Sequence, residues 1–159
     1  METTNIGIEP TNLQAVANVL CVVLADEYIL YGKTRNAHWN IEGPDFYSQH
    51  LFFETQYKEL HEIIDKVAER IRTIGHYAPG RLTDILKLTH FTEGHLKGTL
   101  SKDFLEDLLH DHESLIMHLR GNIDQLQNLN HDLGSSDFLT GILEFHEKSA
   151  WMLRAHLKS

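Results

Sequence analysis

The stretch from Asp45 to Ile74 most constrains the fold, because it reads as one uninterrupted helix between a Gly43-Pro44 turn and Gly75. Histidine and acidic residues recur within it at intervals of four, seven, four and four. These residues are His50, Glu54, His61, Asp65 and Glu69. At about 100° per residue they share one helix sector of about 100°. Imidazole and carboxylate groups bind metals, so the pattern predicts a metal-binding face, with a solvated polar face as the alternative.

One copy of this helix cannot close a metal site. His50 and Asp65 are fifteen positions apart, which at about 1.5 Å per residue separates them by roughly 22 Å. If two copies cross antiparallel about a two-fold axis near Tyr57, His50 of one copy faces Asp65 of the other, and Glu54 faces His61. A two-fold interface of this kind generates two equivalent sites. His38, across the turn from His50, would bring another imidazole to the same end.

Four long helices and one short helix account for most of the sequence, and no alternating strand pattern competes with them. The long helices are predicted at about Thr11 to Trp39, Asp45 to Ile74, Ser101 to Leu129, and from Ser135 or Ser136 to Leu157. Their starts are assigned from a Thr11-x-x-Gln14 capping box and from serine caps at the third and fourth helices. The short helix is predicted near residues 82–88, with turns at Gly94 and Gly98 later in the same connection.

The connection of about 25 residues between Gly75 and Ser101 is long enough to cross the length of a bundle. We therefore predict an all-α four-helix bundle with a long crossover that carries the short helix. Residues 11–159 form a single domain in this prediction, after a short tail of residues 1–10. Such bundles can hold a di-iron site built from Glu and Glu-x-x-His motifs, but the sequence contains no Glu-x-x-His. The ligands are therefore expected between subunits.

The composition restricts partners and compartment. A formal charge of −9, from 23 acidic and 14 basic residues, disfavours nucleic acid and favours cations. Cys21 is the single cysteine, which excludes an internal disulfide and predicts a reducing, cytoplasmic compartment. The first ten residues lack the pattern of a signal peptide. The most apolar window, from Val19 to Ala25, is expected to be too short to span a membrane.

Two segments carry a resemblance to a known family: AHWNIEGPDFYSQHLFFETQYKELHEIIDKVAERIRTIG and SSDFLTGILEFHEKSAWMLRAHL. The His-Trp-Asn motif, the twelve-residue step to the second His, the Asp-x-x-x-Glu of DKVAER and the late Trp-Met-Leu-Arg resemble the Dps family of bacterial ferritin-like mini-ferritins. The resemblance extends from Thr11 to Leu157. It implies a ferritin-like fold and a hollow homododecamer that oxidises ferrous iron, preferentially with hydrogen peroxide, and stores the ferric mineral.

The resemblance also implies the ferroxidase ligands. His38 and His50 match the histidines from one subunit, and Asp65 and Glu69 match the carboxylates from its two-fold partner. Each such site would hold two iron ions, with zinc as a possible substitute. Glu54 matches a position where the family places a further acidic residue near the iron.

Four other residues have two interpretations each. Trp39 resembles a family tryptophan that donates electrons or quenches radicals, and the alternative is packing at the dimer interface. His61 lies outside the family pattern and is expected to be an exposed residue or a partner of Glu54 across the dimer. Asp132 and Asp137 resemble acidic residues of the three-fold pores that admit iron. Alternatively, Asp137 complements the helix dipole and Asp132 lies in a loop.

The N-terminal segment departs from family members that condense DNA. Those members often carry a lysine-rich extension, whereas this segment holds Glu2 and Glu9 and no basic residue. We therefore expect weak or no direct DNA binding and no association with the nucleoid. Two alternatives to an iron-storing ferroxidase stay open: a DNA-compacting particle with a secondary iron site, and a non-redox metal buffer, for example for zinc.

Overall fold

The computed structural model describes residues 4–94 and 98–158, so residues 1–3 of the predicted tail, part of the crossover and Ser159 lie outside the description. Within these ranges the regular structure is helical, which confirms the predicted all-α class; one isolated bridge joins Glu42 to Leu100. The helices are α1 Pro10–Asn40, α2 Phe46–Thr73, α3 Leu82–Leu88, α4 Ser101–Asn128 and α5 Leu133–His156.

The four long helices form two hairpins joined by a crossover. Helix α1 packs mainly on α2, and α4 packs mainly on α5. The crossover returns the chain to the end of the bundle where α2 begins, because Glu42 N–H donates to the Thr99 carbonyl (2.9 Å) and Ser101 Oγ bonds Asp45 Oδ2. Helices α2 and α4 therefore start at the same end and run parallel, as the length of the connection predicts.

The core runs along the middle of the bundle and follows the apolar stripes of the sequence. Large, fully buried side chains come from all four long helices: Leu20, Leu24, Leu30, Phe53, Leu60, Ile71, Leu115, Leu119, Leu126, Leu139 and Leu153. Helix α3 adds a small second cluster by packing Ile85 on Ala25 and Ile29 of α1. The crossover is thus held against the outer side of α1.

Helix α1 is more apolar than the predicted seven-residue window indicates. It is long enough to cross a membrane, and its most apolar 18-residue window has a mean hydropathy of 1.6. However, 61% of that window is buried inside the bundle, as in the core helix of a water-soluble domain. We therefore interpret α1 as a core helix.

Three predicted caps are wrong. Helix α1 begins one residue earlier than predicted, with Pro10 in its first turn and Glu9 at the N-cap, so Thr11 and Gln14 form no capping box. Ser101 lies inside α4, and its hydroxyl bonds Asp45 instead. Helix α5 is capped by Asp132, not by Ser135 or Ser136, because the Asp132 carboxylate accepts from Ser135 N–H (2.9 Å).

Candidate metal centre

His38 and His50 form a reciprocal pair where α1 ends and α2 begins. His38 Nδ1 lies 2.9 Å from the His50 carbonyl oxygen, and His50 Nδ1 lies 2.8 Å from the His38 carbonyl oxygen. Their rings stack with centroids 3.8 Å apart and an interplanar angle of 21°. The short turn between the helices brings the two imidazoles together, as the sequence predicts.

These hydrogen bonds determine the tautomer of both imidazoles. A carbonyl oxygen only accepts, so each Nδ1 must carry the proton and donate it. In the neutral form, each Nε2 then keeps its lone pair for a metal ion. A backbone carbonyl on the other ring nitrogen is the usual way in which proteins orient a metal-binding histidine. The pair is therefore a preformed two-imidazole donor set, and its chemistry fits a divalent transition metal.

Glu54 lies one turn after His50 on α2 and adds a carboxylate near the pair. Its hydrogen bond to Lys58 lowers the pKa of the Glu54 carboxyl, and the charge of Lys58 and smaller contributions from His38 and His50 lower it further. Glu54 is therefore an anion at neutral pH, as a metal ligand must be. In the single chain its partner is Lys58, an exposed residue.

Asp65 and Glu69 lie farther along α2 and do not join the histidines in one chain. Both are exposed. Asp65 lines an open groove of about 520 Å³ between α1, α2 and the crossover, together with His61, Tyr31 and Arg35. The structure therefore brings together His38, His50 and Glu54 but separates them from the two predicted carboxylate ligands.

Aromatic contacts nevertheless place the two ends of the predicted stripe on one surface. The ring centroids of His38 and Tyr57 lie 5.2 Å apart. Those of Tyr57 and Tyr31 lie 6.2 Å apart, and those of Tyr31 and His61 lie 6.0 Å apart. His61 and Tyr31 then share the groove with Asp65. The outer face formed by α1 and α2 thus carries imidazoles at one end and a carboxylate at the other.

Exposed apolar side chains surround the histidine end of this face. The Phe46 ring stacks on His50 with centroids 5.1 Å apart, and Tyr47 and Leu51 follow it on α2. Trp39 is 61% exposed, and the Arg35 guanidinium lies 4.6 Å from the centre of its ring. Exposed apolar groups of this number are typical of a surface that another protein covers.

The two predicted pore residues differ in their surroundings. Asp132 is 3% exposed, and its carboxylate accepts from Ser135 N–H and Ser135 Oγ and pairs with Arg70. These contacts favour the capping role for Asp132, since its oxygens are already occupied. Asp137 is exposed in the first turn and a half of α5. The pore role of both residues stays a prediction.

The bundle core contains a chain of buried polar groups that was not predicted from the sequence. His146 Nε2 lies 2.8 Å from Glu27 Oε1, and His146 Nδ1 lies 2.9 Å from His112 Nδ1. Glu27 and His146 are fully buried, and His112 nearly so. Burial, reinforced by His146, lowers the pKa of His112 well below its ordinary value. Acidic residues in the middle of the most apolar helix were the signal that would have indicated this cluster.

Comparison with known proteins assigns the class. The protein-family model described as the ferritin-like domain matches residues 18–159 of this chain. The crystal structure of the Dps protein from Vibrio cholerae superposes with a TM-score of 0.91 at 32% identity, covering 99% of this chain and 98% of that one. That protein is described as a member of the ferritin-like diiron-carboxylate superfamily. DpsC from Streptomyces coelicolor superposes with a TM-score of 0.94 at 27% identity, covering 99% of this chain and 92% of DpsC. The chain therefore belongs to the ferritin-like family.

Sequence relatives narrow the assignment. A DNA protection during starvation protein from Helicobacter pylori is 34% identical over 136 residues, covering 84% of this chain and 92% of that protein. An uncharacterised low temperature-induced protein from Nostoc is 40% identical over 158 residues, covering 99% of this chain and 88% of that protein. Within the ferritin-like family, the chain belongs to the Dps proteins. This membership supports iron as the metal, a role in iron storage and protection, and a homo-oligomeric state.

Proposed function

We propose that the protein oxidises ferrous iron at sites shared between two subunits and stores the ferric product inside a hollow dodecamer. One subunit would contribute His38 and His50, with Glu54 nearby, and its two-fold partner would contribute Asp65 and Glu69. Each site would hold two iron ions, and zinc would compete for the same ligands. The observation that carries the proposal is the reciprocal pairing of His38 and His50, which leaves both Nε2 atoms free to bind iron.

The separation of the ligands along α2 supports a shared site. Imidazoles and carboxylates lie at opposite ends of the outer face of α1 and α2, so an antiparallel copy would place each carboxylate opposite a histidine pair. The exposed apolar residues Trp39, Phe46, Tyr47 and Leu51 supply a surface that such a copy would bury. Trp39 would lie beside the ligands, where it would pack in the interface or supply an electron.

The residue types suit the proposed reaction. Hydrogen peroxide takes one electron from each of two ferrous ions, its O–O bond breaks, and two protons complete two water molecules. Paired oxidation avoids the one-electron step that releases a hydroxyl radical. The anionic carboxylates of Glu54, Asp65 and Glu69 favour the more highly charged ferric ions over the ferrous substrate. The imidazoles hold the ferrous ions before oxidation.

Net charge and composition support the rest of the proposal. A charge of −9 per chain attracts ferrous ions and repels DNA, so we propose protection by removal of iron and peroxide without tight DNA binding. Exposed Asp137, and Asp132 if its cap opens, would line the route by which iron enters. The single Cys21 supports a reducing, cytoplasmic compartment.

Anaerobic mixing of ferrous iron with hydrogen peroxide tests this function. Ferric absorbance and peroxide consumption are followed for the wild type, a His38→Ala/Asp65→Ala double variant, and a His110→Ala control. His110 is 86% exposed on α4 and contacts none of the proposed ligands. We expect rapid oxidation in the wild type and the control, with about two ferrous ions per peroxide, and a loss of at least about tenfold in the assembled double variant. Equal rates in all three would refute the site.

A further inference from the structure

Asp26, His90 and His118 form a second group of potential metal ligands, away from the His38–His50 pair. They come from the middle of α1, from the crossover just after α3, and from α4. One ligand atom from each lies within 4.8 Å of the other two. Within residues 4–94 and 98–158, this is the one group of three or more His, Cys, Asp or Glu residues that meets this distance. From this geometry we propose a second binding site, for a divalent transition metal ion such as Zn²⁺ or Fe²⁺.

The Asp26 carboxylate is held in place as a ligand should be. It is 1% exposed, and its Oδ1 accepts from Thr89 Oγ1 and from His90 N–H, each at 2.7 Å. Its other oxygen, Oδ2, lies 3.0 Å from His90 Nδ1. The Thr89 hydroxyl in turn accepts from Phe91 N–H (3.0 Å). The two hydrogen bonds to Oδ1 orient the carboxylate from the outside, and an ion bound by His90 Nδ1 and Oδ2 would take the place of the proton between them.

His118 supplies an independent indication that this group takes a ligand. Its Nδ1 is buried and has no hydrogen-bond partner among the described residues. A buried ring nitrogen without a partner is unfavourable, and an ion or a water molecule is one way of satisfying it. The His118 and His90 rings lie 4.3 Å apart with an interplanar angle of 50°. An ion placed between them and Asp26 would take His118 as its third ligand.

The donor set selects the class of ion. Two imidazoles and one carboxylate suit Zn²⁺ and Fe²⁺, whereas Ca²⁺ and Mg²⁺ prefer a shell of oxygen atoms. Metal–ligand bonds of about 2.0–2.2 Å require ligand atoms closer than 4.8 Å, so the site would contract slightly on binding. The His90 side chain is 49% exposed, which gives an ion a route from solvent and leaves room for water as a further ligand.

The position of the group indicates what the ion would do. Helix α3 buries only Ile85, so the crossover is held to α1 by a small apolar cluster and by the contacts of Asp26. An ion on Asp26, His90 and His118 would tie α1, the crossover and α4 together. Because binding to the folded state alone raises its stability, the ion would also raise the thermal midpoint.

Cobalt binding to the assembled protein tests the site. The His38→Ala/Asp65→Ala variant serves as the background, which removes competing ligands, and His118→Gln or His110→Gln is added to it. Metal-free protein is titrated with Co²⁺ under anaerobic conditions, and bound Co²⁺ is counted by equilibrium dialysis and by visible absorbance. We expect His118→Gln to lose about one Co²⁺ per chain and its absorption band, whereas His110→Gln, on the same helix, loses neither.

Two further observations make the test decisive. His90→Gln, at the half-exposed ligand, should also lose about one bound Co²⁺ per chain. This second variant keeps the test valid if His118→Gln fails to fold. Circular dichroism and size-exclusion chromatography establish that each variant is folded and assembled. Equal Co²⁺ stoichiometry in the background and in both ligand variants would overturn the site, as would an equal loss in His110→Gln. The readout is a difference between variants, so it does not depend on ferrous oxidation at the subunit interface.

Discussion

His38 and His50 each donate an Nδ1 proton to the backbone carbonyl of the other, at 2.9 and 2.8 Å. The hydrogen bonds connect the last turn of α1 to the first turns of α2, so the local fold itself orients both imidazoles. The same two carbonyls remain when either side chain is removed. One ligand can therefore be deleted without releasing the hydrogen bond that orients the other.

This relationship predicts a specific result for His50→Ala. The variant keeps the backbone acceptor of His38 but loses one imidazole. We expect ferrous affinity to fall by at least about tenfold, which is the typical cost of losing only an outer-shell partner of a ligand, while assembly is unchanged. Anaerobic titration with Fe²⁺ measures the affinity, and size-exclusion chromatography measures assembly. His110→Ala, on the exposed surface of α4, is the control and should bind as the wild type does. Unchanged affinity in His50→Ala would remove His50 from the ligand set.

The contacts of Asp132 predict a stability effect that a pore residue would not have. Asp132→Ala removes the α5 cap and the carboxylate that accepts from Ser135 and Arg70. We therefore expect the free energy of unfolding to fall by about 1–2 kcal/mol and the thermal midpoint to be lower. Asp137→Ala, at an exposed position, should change stability by less than about 0.5 kcal/mol. If Asp137 lines the pore, its variant should instead slow iron uptake. An unchanged midpoint in Asp132→Ala would contradict the capping role.

The buried His112 predicts that stability falls on acidification. Its pKa is lowered in the folded state, so below the ordinary value of about 6.5 the unfolded chain binds more protons than the folded chain does. Stability should therefore decrease as the pH drops through this window toward the lower folded pKa. The titratable groups facing His112 are His146 of α5 and, beyond it, Glu27 of α1.

His112→Gln isolates this contribution. Thermal midpoints of the wild type and the variant are compared from about pH 7.5 to about pH 5. Over this range the thermal midpoint of the wild type should fall further than that of the variant, because the variant has no imidazole to protonate at this position. Parallel pH profiles would show that His112 makes no contribution.

The charge of the chain predicts its behaviour toward DNA. If twelve chains assemble, the formal charge is 12 × −9, or −108, before any iron is bound. We expect no shift of duplex DNA in a gel at neutral pH and moderate salt. A fusion with a lysine-rich N-terminal tail is the positive control and should shift the DNA at low salt. A salt-sensitive shift with the wild type would contradict the expectation and favour the DNA-compacting alternative.

The sequence was sufficient to predict the helices, the crossover and the proximity of His38 to His50, because these depend on local patterns and one short turn. The short helix spans Leu82–Leu88, as predicted. The caps were wrong because several polar residues near each helix start can fill the same role. The buried polar groups were missed because their partners are remote: Glu27 and His146 are 119 positions apart, and Asp26 and His90 are 64 apart. The acidic residues in α1 indicate that buried polar partners exist, but a single sequence does not identify which remote residues they are.

In our proposal, each ferroxidase site takes its histidines from one subunit and its carboxylates from another. Mixing the subunits of two variants tests this claim. A His38→Ala/His50→Ala variant and an Asp65→Ala/Glu69→Ala variant are each assembled alone, then dissociated and reassembled together. Each alone should be inactive in anaerobic ferrous oxidation with peroxide. The mixture should recover about a quarter of wild-type activity, since half of the random dimers contain one intact site out of two. A mixture that remains inactive, although mass spectrometry shows that both chains are present in one particle, would contradict the claim.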